Sequence, residues 1–349
     1  MTRRPARLVR SALTAVAVVT AATLTLTGCA GEGSGSSTAA AAGGGGDGKT
    51  LNIDFATYNP LSLVIKKKGW LEAALKEKGV TVNWVQSAGS NKANEALRSG
   101  AIDVGSTAGS AALLARANGS PIRTVDIYSQ PEWSALVTTP KTGITSVADL
   151  KGKSVAATKG TDPYFFLLQS LAANGLKASD VTVQNLQHAD GRTALENGSV
   201  QAWAGLDPIM AAAEKNGAKL FYRNVGFNTY GFLNAREDFL KNQPEIAQTV
   251  VNTYEAARAW AKGHTAETAA ILADVASIDT TVATKVIART NLGVDPAPGA
   301  KQRAVLEKVG TIIVDSGDVK DAGTVDTALN GLLDADLVTK ADPSAVSTK

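Results

Sequence analysis

Apolar positions along the chain fall into two kinds of run, and the two kinds alternate. Leu51–Ala56 alternates apolar and polar residues, the period of a half-buried strand. Leu61–Lys78 repeats apolar residues at helical spacing (Leu61, Val64, Ile65, Trp70, Leu71, Leu75), and Gly79 follows as a helix stop. Val80–Val85 reads as a strand, Lys92–Arg98 as a helix stopped by Gly100, and Ile102–Gly105 as a short strand. Ser110–Asn118 is a helix with Gly119 behind it, and Ile122–Tyr128 another strand. Strand–helix alternation of this kind predicts an α/β protein whose sheet is mostly parallel and covered by helices.

A second series starts near Pro140. It predicts a helical turn at Val147–Leu150, strands at Ser154–Ala157, Val181–Leu186, Gln201–Ala204 and Lys219–Tyr222, and helices at Tyr164–Asn174, Gly191–Asn197 and Pro208–Asn216. Gly231–Asn234 reads as one more strand. Everything after Arg236 is helical in pattern, with Ile246–Lys262, Thr265–Val275, Thr281–Arg289 and Gln302–Ser316 as the main segments. The extended segments Val137–Pro140 and Asn228–Asn234 bracket the second series. That favours lobes between which the chain passes out and back: 50–139 and 228–335 in one lobe, 140–227 in the other, and 336–349 as a tail.

The N-terminus follows neither pattern. Arg3, Arg4, Arg7 and Arg10 precede Ser11–Leu26, a 16-residue apolar or weakly polar run. That is short for a spanning helix, which needs about 20 residues, and basic-then-apolar order marks an export signal over 1–28. Leu26-Thr27-Gly28-Cys29 resembles the lipobox of bacterial lipoproteins, and Cys29 is the only cysteine in the chain. The resemblance implies a lipid on Cys29 and a protein held on the outer face of the cell membrane. Residues 31–48, with eight glycines and no large apolar residue, cannot bury enough surface to order themselves. Residues 29–49 are therefore expected to be a flexible tether spanning on the order of 20–25 Å root-mean-square.

Charge and composition narrow the function. Of 349 residues, 35 are basic and 32 acidic. Four of the basic ones lie in the leader, where no acid occurs, so the remainder carries 31 basic against 32 acidic residues. The basicity belongs to the leader, and nucleic-acid binding loses its support. A single cysteine excludes an intrachain disulfide, and with only two histidines there are too few soft ligands for structural zinc. There is no G-x-S-x-G elbow, H-E-x-x-H or P-loop motif, so no catalytic residue and no cofactor is expected. His188 and His264 stand in no motif and are read as structural or surface residues.

Small polar residues collect at strand-to-helix turns. Thr158-Lys159-Gly160-Thr161-Asp162-Pro163 offers free backbone N–H groups at a helix start, a natural anion site, and Gly160 allows close approach. Thr161 can cap that helix. Ser106 and Thr107 sit in a second such turn. Tyr58, Asn59 and Ser62 form the turn after the first strand, where Asn59 and Ser62 can donate hydrogen bonds and Tyr58 can wall a pocket. Asp207 before Pro208 is either an N-cap or a carboxylate facing a ligand amine. Trp203 and Trp133 can supply apolar walls, and Gln130 and Tyr230 lie near the expected crossovers. Each of these residues also has an ordinary structural explanation, as a cap or as core.

The stretches GWLEAALKEKGVTVNWV (69–85), EALRSGAIDVGSTAGSAALLARANGSPI (95–122), VADLKGKSVAATKGTDPYFFLLQSLAANGL (147–176) and ALENGSVQAWAGLDPIMAAAE (194–214) resemble the solute-binding proteins of ABC importers. The closest likeness is to the aliphatic-sulfonate, taurine and nitrate binding family. It extends into 239–273 and covers nearly all of 50–335. The resemblance implies a two-lobed, periplasmic-binding-protein-like fold of type II, with two crossovers and a cleft that closes on ligand. It implies capture of a small organic anion, an aliphatic sulfonate above nitrate, taurine or a heteroaromatic vitamin precursor, and delivery to a membrane permease. A monomer without enzymatic activity is expected. Across the cleft, the anionic head is expected between the Ser106-Thr107 turn and the Gly160-Thr161 turn.

Overall fold

The computed structural model describes residues 49–348; the leader, Cys29 and most of the tether lie outside the described residues. The first elements are β1 (Lys49–Phe55), α1 (Pro60–Lys68), α2 (Trp70–Lys76), β2 (Val80–Gln86), α3 (Ser90–Ser99), β3 (Val104–Ala108), α4 (Gly109–Ala117) and β4 (Ile122–Pro131). Then come β5 (Ser134–Thr138), β6 (Ser154–Ala157), α5 (Asp162–Ala173), β7 (Thr182–Asn185), α6 (His188–Glu196), β8 (Ala202–Leu206), α7 (Ile209–Lys215) and β9 (Lys219–Tyr222). The chain closes with β10 (Gly231–Arg236), α8 (Glu237–Asn242), α9 (Pro244–Gly263), α10 (Thr265–Ala276), α11 (Thr280–Ala288), β11 (Thr290–Asn291), α12 (Ala300–Asp315) and α13 (Ala322–Leu332).

The strands form two mixed sheets, one in each lobe. The first has the order β11-β4-β10-β3-β1-β2, the second β7-β6-β8-β5-β9. β1 pairs in parallel with β2 and β3, and β6 in parallel with β7 and β8. β10 lies antiparallel between β3 and β4, and β5 antiparallel between β8 and β9. The chain therefore leaves the first sheet after Pro131, builds all of the second, and returns at Gly231. These are the two crossovers of the fold.

Local chemistry explains where the elements differ from the sequence expectation. The helix expected over Leu61–Lys78 is broken at Gly69, whose φ of +68° belongs to the left-handed region that glycine enters freely. The break swings Trp70 and Leu71 into the core beneath α9. Strand β5, SALVT, was expected only as an extended segment at Val137–Pro140 and assigned with residues up to 139. It pairs in the second sheet, so the passage between sheets falls at Pro131–Ser134. α13 was covered only by the general helical pattern after Arg236, and residues 336–348 of the expected tail pack on the body, since Val338 and Val346 are buried in the core.

α5 is buried on nearly every side, from Asp162 to Leu171. A helix apolar all round has to be enclosed. It packs on β5, β6 and β8 of its own sheet and against α4 and α12 of the other lobe. Phe165, Phe166 and Leu167 are fully buried there, each contributing about 1.5–3 kcal/mol of apolar burial. Among the described residues, no helix is long and apolar enough to cross a membrane.

Candidate ligand site

A cavity of about 650 Å³ opens between the lobes. From the first lobe it is lined by Thr57 and Gln86–Ala88, which follow or end β1 and β2, by Lys92 on α3, and by Val275–Ile278 behind α10. From the second lobe come Gln187 and His188 after β7, Arg192 on α6, and Pro208 and Ile209 after β8. In α/β sheets ligands bind beyond the carboxyl ends of parallel strands, and four of these strand ends meet here.

Two helices of useful length begin at the cavity. α3 starts at Ser90 and α6 at His188, and the first N–H groups of a helix lack intrahelical partners. Cationic side chains add to that field. Arg192 donates from Nε to Glu196 (2.7 Å), and Lys92 from Nζ to Glu95 (2.8 Å). Further guanidinium N–H groups of Arg192 have no partner among the described residues. A small anion is the ligand class such a place accommodates.

The residues singled out from the sequence are placed differently. Tyr58, Asn59, Ser62, Ser106 and Thr107 are buried, and their polar atoms already have partners. Tyr58 Oη donates to the Ser106 carbonyl (2.9 Å) while its ring stands edge-on to Trp133. Asn59 caps α1 through Ser62 N (3.3 Å) and donates to Tyr254 Oη (3.2 Å). Ser62 Oγ donates to the Asn59 carbonyl (2.7 Å). Ser106 gives both its N–H (2.9 Å) and its hydroxyl to Asp54, whose carboxyl burial pushes up to about 7. Thr107 Oγ1 donates to the Ala108 carbonyl (2.9 Å) and accepts from Asn234 Nδ2 (2.7 Å).

The turn before α5 is also occupied by protein. Thr161 was expected to cap α5, but its hydroxyl donates backward to the Thr158 carbonyl (2.6 Å). Asp162 accepts from Ser110 Oγ (2.6 Å), Thr229 Oγ1 (2.5 Å), Trp133 Nε1 (2.8 Å) and Thr229 N (2.9 Å). Ser106 and Thr107, expected in a turn, are residues of strand β3, and it is Ser110 in α4 that bonds Asp162. Gly160 lines a separate crevice of about 230 Å³ with Asn91, Asn94 and Leu114.

Asp207 turns out to do cap work with a counter-charge. Oδ1 accepts from Ala211 N (2.9 Å) in the first turn of α7, and Oδ2 lies 3.4 Å from Arg289 Nη1. Arg289 also donates to Glu214 (2.7 Å), so the pair ties the second lobe to the end of α11. Burial outweighs the guanidinium and pushes the Asp207 carboxyl up to about 7. Trp203 is in the core of the second sheet, and Gln130 and Tyr230 are half-buried at the crossovers. None of the twelve lines the cavity, although Thr57 and Pro208 are direct neighbours of Tyr58 and Asp207.

Sequence reasoning passed over Gln187, Arg192 and Ser87, and read His188 as a structural or surface residue. His188 is only 2% exposed, and burial pushes its imidazole down to about 4. The signal available was a polar Gln-His pair directly after a strand and before a helical run, the same context that drew attention to Thr161.

A family model described as NMT1/THI5 like matches residues 61–268. A Bacillus subtilis (strain 168) protein named for binding aliphatic sulfonates is 30% identical over 232 residues, which is 65% of this chain and 70% of that protein. The alkanesulfonate-binding protein SsuA from Xanthomonas axonopodis pv. citri, solved bound to MOPS, superposes with a TM-score of 0.72 at 25% identity, over 81% of this chain and 99% of that one. The desulfurization enzyme DSZB superposes with a TM-score of 0.61 at 14% identity, covering 84% of this chain and 98% of its own. At that identity the likeness is one of fold alone.

Proposed function

Since the chain belongs to the NMT1/THI5-like family, we propose that it is the extracytoplasmic solute-binding component of an ABC importer and captures a small aliphatic sulfonate by closure of its two lobes. The observation that carries this reading is the inter-lobe cavity, which places Arg192, Lys92 and the starts of α3 and α6 around one space. Backbone N–H groups and a guanidinium replace the water shell of a sulfonate without a full counter-charge for each oxygen. Contacts from both lobes exist together only in the closed state, so binding energy shifts the population toward closure. The names of the Bacillus and Xanthomonas relatives point to the same ligand class.

In this reading the ligand sits between the Gln86–Ser90 turn and the Gln187–His188 turn. The buried residues at Ser106–Thr107 and Thr161–Asp162 hold the lobes in register behind it. The protein works as a binder, not an enzyme, with a membrane permease as partner. A lipid on Cys29 keeps it at the outer face of the membrane as a tethered monomer.

Calorimetry on the chain from residue 30 onward, with ethanesulfonate, taurine, nitrate and a pyrimidine, tests the assignment. One-to-one sulfonate heat, no product, and at least a tenfold loss in Arg192→Gln are expected. Nitrate or pyrimidine binding without sulfonate binding would replace the ligand class.

A further inference from the structure

The two ring nitrogens of His188 are in different situations, and the difference fixes where its proton sits. Nδ1 lies 3.1 Å from Thr158 Oγ1. That hydroxyl donates its one proton to the Leu186 carbonyl (2.7 Å). A hydroxyl has a single proton to give, so the Nδ1 contact is a hydrogen bond only if Nδ1 is the donor. Burial holds the imidazole at about 4, and the ring is neutral at neutral pH. Its only proton is therefore on Nδ1, and Nε2 presents a bare lone pair.

Nε2 is buried without a partner, and so are Asn91 Oδ1 and Gln187 Oε1 nearby. Buried acceptors without donors are costly, and each in a native protein calls for an explanation. Gly89 packs closely against two of them. A β-carbon on Gly89 would lie 2.8 Å from Asn91 Oδ1 and 2.9 Å from His188 Nε2. The first lobe thus packs backbone against the ring of His188 without giving Nε2 a donor, and the residue, at the start of α6, also lines the cavity.

A sulfonate oxygen is an acceptor only and repels a lone pair. We propose that His188 Nε2 accepts a hydrogen bond from the ligand's own chain, and so selects sulfonates bearing a hydroxyl or amino group over plain alkanesulfonates. The inference rests on the sulfonate reading above and names the subclass within it. The anionic head faces Arg192 and Lys92, and the donor group faces His188. The specificity is a difference between ligands of nearly equal size, because an unmet acceptor penalises the one that lacks a donor.

Three ligands separate the possibilities: ethanesulfonate, 2-hydroxyethanesulfonate and taurine. The hydroxyl compound isolates hydrogen bonding from charge, since Glu196 lines the same cavity and favours an ammonium on its own account. The wild-type protein is expected to bind the hydroxyl compound at least tenfold tighter than ethanesulfonate. His188→Leu is expected to abolish that ratio, the hydroxyl compound losing at least tenfold more affinity than ethanesulfonate. Should the Leu variant fail to fold, nitrogen NMR of the wild-type imidazole decides. Nε2 is expected to be unprotonated in the free protein and to shift on adding the hydroxyl compound but not ethanesulfonate. Equal affinities for the two in wild type, or a protonated Nε2, would overturn the proposal while leaving the sulfonate reading intact. If none of the three binds, the sulfonate reading itself falls and this inference with it.

Discussion

Asp162 and Thr229, 67 positions apart, meet twice: the carboxylate accepts both the hydroxyl (2.5 Å) and the amide (2.9 Å) of the threonine. Asp162 opens α5 of the second lobe, and Thr229 lies on the returning crossover. With Ser110 and Trp133 also donating to it, the carboxylate is a buried clasp where the lobes adjoin.

Removing that clasp leaves four donors without their acceptor. Asp162→Ala is expected to lower unfolding free energy by about 3 kcal/mol, read as a shift in denaturant midpoint at constant m-value. Asp162→Asn, which keeps one oxygen, is expected to lose less. An unchanged midpoint in the Ala variant would mean the cluster carries no stability.

Arg289 compensates the buried carboxyl of Asp207. Below pH 7 that carboxyl is protonated in the folded protein with or without the guanidinium, so Arg289→Met loses hydrogen bonds and the ion pair with Glu214 there, a loss that stays constant as pH rises. Above pH 7 the wild type ionises beside its partner and the variant cannot. The stability deficit of Arg289→Met is therefore expected to be larger at pH 9 than at pH 6, reaching about 3 kcal/mol. A deficit independent of pH would show that the pair is not electrostatic.

His188 has its folded pKa lowered to about 4 from an ordinary 6.5. The unfolded chain then binds the extra proton between these values. Stability from this residue is present above pH 6.5 and is lost as pH falls toward 4. The loss is on the order of 3 kcal/mol. Asp54 and Asp207, raised to about 7, act in the opposite sense over the same range. The contribution is thus visible as the difference between wild type and His188→Leu, which is expected to shrink on acidification from pH 7 to 4.5. A constant difference would place the imidazole in solvent.

Gly89→Ala adds one methyl group between Asn91 and His188. It is expected to weaken ligand binding about tenfold and also to lower the melting temperature of the free protein, because the side chains of Asn91 and His188 must both shift to admit the methyl group. Calorimetry and thermal melts on the same preparation separate the two effects. Unchanged affinity would put the ligand elsewhere.

Cys29→Ser is expected to release the mature protein from the membrane fraction, with loss of the lipid mass in wild type as the control. A wild-type chain without lipid mass would end the anchoring proposal.

The alternation of elements was legible because α1 and α3–α7 end within two residues of a glycine, and most strands carry a short apolar or alternating run. What escaped was local: Gly69 splits a helix whose periodicity runs straight through it, and β5 is five residues behind a Trp. The candidate site was legible in kind but not in detail. Polar groups were sought at strand-to-helix turns, whereas Ser106 and Thr107 lie within β3. Whether a hydroxyl there is free depends on partners far along the chain, such as Asp54 for Ser106, 52 positions away, and Asn234 for Thr107, 127 away. No pattern within a turn reveals such commitments. His188 stood in an equivalent turn, but its unpaired nitrogen depends on Thr158 and Leu186 together.

The place of β10 sets an order on biosynthesis. As the ribosome works, the whole second sheet has emerged before Gly231 exists, while β3 and β4 wait with open edges on either side of a missing middle strand. The lobe that is begun first is finished last. A chain stalled or clipped before Gly231 would carry a complete β5–β9 sheet beside a split one, and exposed strand edges invite pairing with other chains. Truncations ending just short of residue 231 should accumulate as aggregates.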